Sequence, residues 1–185
     1  MLAFHVDYWN RLGWKDPFSS AAYSGRQHQY AGWMNGSLYT PQAVVNGSKE
    51  FVGSEEGTLR DAIKEGLMKA PLAEVTLSEV EKREKNITLQ YHVKKNPADT
   101  YLILALVEKN AVSKVLKGEN RGRTLSHVQV VRNIQTINLS GQSNGAGTLE
   151  TPEGLDMQVL EVIAFLQNKS NGKIVAATKS GIRGH

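Results

Sequence analysis

The chain has 185 residues, enough for one medium domain or two small ones with a real core. Its 40% hydrophobic and 22% charged residues place it among globular chains and away from disordered ones. The net charge of +4 comes without a dense basic cluster, which argues against a nucleic-acid partner, and the count of zero cysteines excludes disulfides, thiolate metal ligands and dithiol exchange by these residues.

Met1 runs straight into a strand pattern, so no signal peptide is read here, and no stretch approaches the ~20 apolar residues of a membrane helix. The opening "LAFHV" (Leu2 to Val6) reads as a buried strand, followed by a loop, "NRLGWKDPFS", whose Pro17 precedes a helix. That helix is predicted from Ser19 to about Met34 and ended by Asn35-Gly36. "SLYTPQAVV" is a predicted strand, and Asn46-Gly47 turns it into a hairpin with "KEFVG". Ser54 is positioned to cap a second helix whose Leu59, Ala62, Ile63 and Leu67 share one face before Pro71 stops it.

Past Pro71 the pattern becomes β-rich: "ITLQYHV", "TYLILALVE", "AVSKVL", "HVQVVRNIQTINL" and "LEVIAFLQNKSNGKIVAATK", the last with an Asn171-Gly172 hairpin signal. Such closely spaced strands predict an all-β sandwich of roughly 110 residues. The expected division is therefore 1–71 and 72–185. "EKREK" (Glu81 to Lys85) is sign-mixed and reads as a solvated stretch, while "SGQSNGAG" (Ser140 to Gly147) lacks the Lys and helix of a phosphate cradle and is expected to be a flexible connection. The Asn-x-Ser/Thr sequons fall partly in turns that already explain their asparagines.

The chemistry-bearing residues gather around the end of the first strand. His5 and Asp7 are two apart and would share a strand face, with Tyr8, Trp9, Trp14 and Asp16 close behind. His5, Asp7 and Asp16 lack a fourth ligand at motif spacing, so a polar cluster is expected and no metal or other cofactor. Arg26 and Gln27, mid-helix, are candidates to face that cluster. Tyr39, Thr40 and Pro41 open the next strand; by themselves they favour an ordinary trans proline at a strand edge. No Gly-x-Ser-x-Gly elbow is present. In the β-rich part, "KGENRGRTLSHVQVVR" places Glu119, Asn120, Arg121 and Arg123 at one turn. There Glu119 could pin the loop through Arg123 or Arg132, the functional alternative being an anion or peptide-end site.

The blocks "LAFHVDYWNRLGWKDPFSSAAYSGRQHQY", "YTPQAVVNG" and "GENRGRTLSHVQVVR" together resemble domain of unknown function 1223, over nearly the whole chain. The resemblance implies an α/β thioredoxin-like domain followed by an all-β, immunoglobulin-like sandwich. It also implies an exported, periplasmic or secreted bacterial protein, or a cytoplasmic one if Met1 is the true start. The resemblance puts Thr40-Pro41 where a thioredoxin-like sheet carries a cis-proline. It further implies a first strand and a Cys-x-x-Cys helix ahead of the block matching Leu2 to Val6, which this chain does not show. The expectation is an N-terminal half derived from an envelope thiol–disulfide oxidoreductase, without redox chemistry of its own. Its alternative role is non-catalytic binding of a peptide or protein. Without a central strand that half would be marginal by itself, or "LAFHV" would pair elsewhere, leaving an exposed strand edge open to homodimerisation.

Overall fold

The computed structural model describes residues 1–95, 97–118 and 121–184. It is mostly β, with eleven strands in several sheets and two α-helices among the described residues. In chain order these are β1 (His5–Val6), β2 (Ser19–Ser20), α1 (Ala21–Met34), β3 (Gln42–Val45), β4 (Lys49–Val52) and α2 (Glu56–Leu67). Then follow β5 (Glu74–Arg83), β6 (Asn86–Lys94), β7 (Thr100–Lys114), β8 (Thr124–Asn138), β9 (Asn144–Glu150), β10 (Leu160–Asn168) and β11 (Ile174–Gly181).

Two antiparallel sheets, ordered β11-β10-β7-β8 and β5-β6-β9, enclose the main core. On β6 the residues Ile87, Leu89, Tyr91 and Val93 are buried in strict alternation, the signature of a strand with one face on a core. Leu102, Leu104 and Leu106 of β7 meet them from the other sheet, with Leu160, Val162 and Leu166 of β10. β7 differs, since every residue from Leu102 to Val107 is buried. Its second face, with Ala105 and Val107, packs under Tyr23, Leu2 and Phe4, together with Val131, Ile134 and Ile163 of the same sheet. A strand covered on both faces has no polar side, hence the unbroken apolar run "YLILALV".

The N-terminal segment thus lies on the outer face of the four-stranded sheet. The opening strand is shorter than its sequence suggests, and the residues ahead of it pair outside their own half. His5–Val6 makes a two-residue parallel pair with Ser19–Ser20, while Ala3 bridges Val130 on β8. The Ala3 N–H donates to the Gln129 carbonyl (2.8 Å), and the Val131 N–H donates to the Ala3 carbonyl (3.0 Å). The free edge of β8 supplies those partners, because buried backbone groups must be satisfied somewhere.

Helix α1 is capped by Ser20, whose Oγ accepts from the Ala22 N–H, and ends at Asn35 in the left-handed region (φ 51°). Helix α2 departs from expectation. The Ser54 side chain makes no cap, since Glu55 holds that position without a side-chain bond. Of the apolar face only Ala62 is buried, while Ile63 and Leu67 are 44% and 81% exposed. Helical period finds an apolar stripe but cannot find the surface to cover it.

The glycine-rich stretch is also a correction, because Asn144–Glu150 is strand β9, paired with β6. Its glycines make room: a Cβ on Gly145 would meet the Tyr91 ring, and one on Gly147 would meet Leu104. "AVSKVL", expected as a separate strand, begins as the continuation of β7. Finally, the two Asn-Gly turns pack on each other. The Ile174 N–H donates to the Asn46 carbonyl (2.9 Å), and Trp33 lies against Gly172 (φ 73°).

Candidate functional site

His5 and Asp7 part company because the strand ends between them. Asp7 has helical torsions (φ −99°, ψ −11°) at the start of a 3-10 turn, Tyr8–Leu12, so strand alternation no longer applies. Its Oδ1 accepts from Ser24 Oγ (2.5 Å), and its N–H donates back to the same oxygen (3.0 Å), tying the turn to α1. His5 goes the other way, with Nδ1 2.6 Å from Asp16 Oδ2.

Asp16 is the hub of its loop. Its Oδ1 accepts from the Phe18 N–H (2.9 Å), its carbonyl from Ser19 Oγ (2.8 Å), and its own N–H donates to Asn10 Oδ1 (3.0 Å). Burial pushes its carboxyl up, but the hydrogen bonds from His5 and Phe18 and the charges of His5 and His127 outweigh that and hold it below the usual value. The His5 ring meets His127 edge-on at 5.0 Å, and Phe18 closes the triangle at 5.5 and 5.2 Å. His127 Nε2 lies 2.8 Å from Ser113 Oγ on β7.

A second set of residues surrounds Thr40-Pro41, whose peptide bond is cis. The Tyr8 hydroxyl donates to Gln27 Oε1 (3.0 Å), and Gln27 Nε2 donates to the Tyr39 carbonyl (2.9 Å) and Gln42 Oε1 (3.0 Å). Gln42 in turn donates to Glu50. Trp9, 46% exposed, donates its Nε1–H to Thr40 Oγ1 (3.0 Å). The Pro41 carbonyl accepts from the Gly53 N–H (2.7 Å), closing the mouth of the β3–β4 hairpin. Trp9, Thr40 and Pro41 are exposed, with Tyr8, Gln27 and Tyr39 half-buried. The row ends at Glu50, which also lines a shallow cleft of about 310 Å³ with Trp33, Met34, Ser48 and Lys173.

Arg26 joins neither set. Its guanidinium lies near the rings of Phe4, Tyr30 and Phe165 at 5.1 to 5.4 Å. It donates to the Tyr30 hydroxyl and to Gln167 Oε1, each at 3.0 Å. It therefore anchors α1 to the sheet. In the β7–β8 turn, Glu119 and Asn120 lie outside the described residues. Arg123 is exposed, and its carbonyl accepts from the Val115 N–H (2.9 Å). Arg132 pairs with Glu108 and caps the Phe18 ring at 5.0 Å.

Sequence reasoning brought His5 and Asp16 together but missed His127, Ser113, Ser24, Gln42 and Glu50. Residue type gave no local signal for His127: Leu125 and His127 are half-buried on β8 while Ser126 and Val128 are exposed, so each face mixes an apolar and a polar residue. Among the described residues no group of three or more His, Cys, Asp or Glu is arranged to hold a metal ion, and no helix is long and apolar enough to cross a membrane.

Comparison with known proteins gives a family and a partial structural likeness. A family described as Protein of unknown function (DUF1223) matches residues 1–167. The chain is similar to a domain of the outer membrane lipoprotein Omp28 from Porphyromonas gingivalis, at 10% identity over 62% of this chain and 98% of that one. The TM-score is 0.38, a level that does not establish a shared fold. No curated protein matches the chain.

Proposed function

The chain belongs to the DUF1223 family, proteins of unknown function, and from that premise we propose that it is a cell-envelope protein of thioredoxin-like ancestry that binds an extended polypeptide without reacting with it. The proposed division is a thioredoxin-like part over 1–71 and an immunoglobulin-like β-sandwich over 72–185. The succession β1, α1, the Thr40-Pro41 junction, the β3–β4 hairpin and α2 supports the first, and the two sheets around one core support the second. Ancestry from a thiol–disulfide oxidoreductase rests on the family resemblance; with no cysteine in the sequence, no thiolate is available to carry out exchange.

The observation that carries the binding reading is the exposed row Trp9, Thr40 and Pro41 over the half-buried Tyr8, Gln27 and Tyr39. An exposed indole held by its own N–H offers a rigid, amphipathic surface at low entropic cost, and the Gln27 bonds to Tyr8 and the Tyr39 carbonyl hold the ground beneath it in place. The unpaired edge of β3, among the described residues, supports the same role by strand addition, with self-association through that edge as a competing outcome.

The test is to pan a random-peptide phage library on the intact chain and on Trp9→Ala. Peptides retained by the parent and lost by the variant, and whose addition shifts the Trp9 indole resonance, are expected. Equal retention by both proteins would overturn the assignment of this surface.

A further inference from the structure

The His5–Asp16–His127 cluster has a chemistry that the binding row does not use. It joins parts of the chain more than a hundred residues apart. His5 is on β1, Asp16 and Phe18 on the loop after it, His127 on β8 and Ser113 on β7. The contact is enclosed, with the His5 and Asp16 side chains only 17% and 22% exposed and Ser113 4% exposed. Leu2, Ala3 and Phe4 dock on the same sheet a few residues away.

Count the charges that face it. Among the described residues Asp16 is the one acid paired with either imidazole, and it lies on His5. Across the Phe18 ring Arg132 adds a cation, already matched by Glu108. From α1 comes Tyr23, whose hydroxyl donates to the Val131 carbonyl (3.1 Å) and stays neutral because burial raises its pKa. Among the described residues one positive imidazole is therefore compensated, and a second is not.

We propose that His5 and His127 form a pH-sensitive clasp, in which protonation of the His127 ring against His5 weakens the docking of residues 2–20 on the β7–β8 hairpin while the two-sheet core stays folded. The direction follows from the surroundings of that ring. Burial, followed by the His5 charge, holds the His127 imidazole below its usual value, only partly offset by Asp16. A base with a depressed value when docked takes up its proton more readily when released. Docking is then unpenalised above the free imidazole value of about 6.5 and progressively penalised as pH falls below it. The Asp16 contribution has the opposite window. It persists down to the ordinary carboxylate range and fades only in stronger acid, so it does not mask the step. The clasp holds the segment that delivers Tyr8 and Trp9, but it stands whether or not that row binds peptide.

Amide-exchange protection factors of Ala3 and Val131, whose N–H groups donate across this junction, report on docking directly. In the intact chain both are expected to fall between about pH 7.5 and 5.5, by about tenfold for each unit separating the docked and released values of His127. Protection of β6 and β10 amides should stay constant. The His127 imidazole resonance should titrate in the same window. In His127→Gln, which keeps a polar partner for Ser113, the step should disappear. If that variant fails to fold, the parent decides: no fall in protection, or a fall out of step with His127 titration, overturns the proposal. A fall of the same size in a folded His127→Gln also overturns it.

Discussion

Residues 1–71 and the strands that follow are held together in different ways. From β5 onward, buried side chains such as Ile87, Leu104, Leu106, Leu149 and Val162 pack on one another across two sheets. Within 1–71 only Tyr23, Ser24, Tyr30, Gly47 and Ala62 are buried. Three of these reach outside their own part: Tyr23 to the Val131 carbonyl, Tyr30 to Gln167, and Gly47 against Gly172. Meanwhile Leu12, Ile63, Leu67 and Met68 stay exposed. The first part keeps its shape by leaning on the second, and its helices and hairpins are arranged around a surface that belongs to the sheet. A small part with so little core of its own cannot offset its chain entropy alone.

Leu104→Ala strikes the shared core and should have the largest effect, about 2–5 kcal/mol. No structure within 1–71 should then outlast the sheets, whose urea midpoint is lowered, because the docking surface goes with the core. Retention of native tryptophan fluorescence after the sheets unfold would break the comparison. Gly47→Ala puts a Cβ inside the van der Waals reach of the Gly172 carbonyl, at a left-handed residue (φ 66°). About 1–3 kcal/mol is expected, read as faster proteolysis within 1–71 with the sheet midpoint little changed. Tyr30→Phe removes the hydroxyl shared by Arg26 and Gln167 and should cost about 0.5–1.5 kcal/mol, again confined to 1–71. A drop in the global midpoint by the same amount would mean that the parts unfold as one. The smallest effect is on the surface of α2. Hydrogen bonds and charges from Lys49 and Lys69 bring the Glu65 carboxyl down to about 2. Lys49→Ala should raise it measurably by carbon-detected titration with almost no change in stability, since exposed pairs are screened.

Local chemistry was legible wherever the local chain decides the outcome. Asn35 ends α1, and the Asn46-Gly47 and Asn171-Gly172 turns make their hairpins, because left-handed torsions there depend on those residues alone. What escaped depends on distant partners. Nothing near Gly145 or Gly147 announces that Tyr91 and Leu104 will fill the space a side chain would take, so the stretch read as a loop. His5 pointed to Asp16, eleven residues on, but its ring contact with His127 exists only because Leu2 to Phe4 found the β8 edge. The α2 stripe was visible by period, yet its burial could not be, since a stripe specifies a face and not its cover.

The most direct test is residue-resolved native-state hydrogen exchange of the intact chain at neutral pH. Amides at Ala3, in α1 and at Val131 should exchange through a sub-global opening of lower free energy than the one that exposes the centres of β6, β7 and β10. Equal opening free energies across residues 1–71 and the two sheets would contradict the account, making the molecule a single cooperative unit.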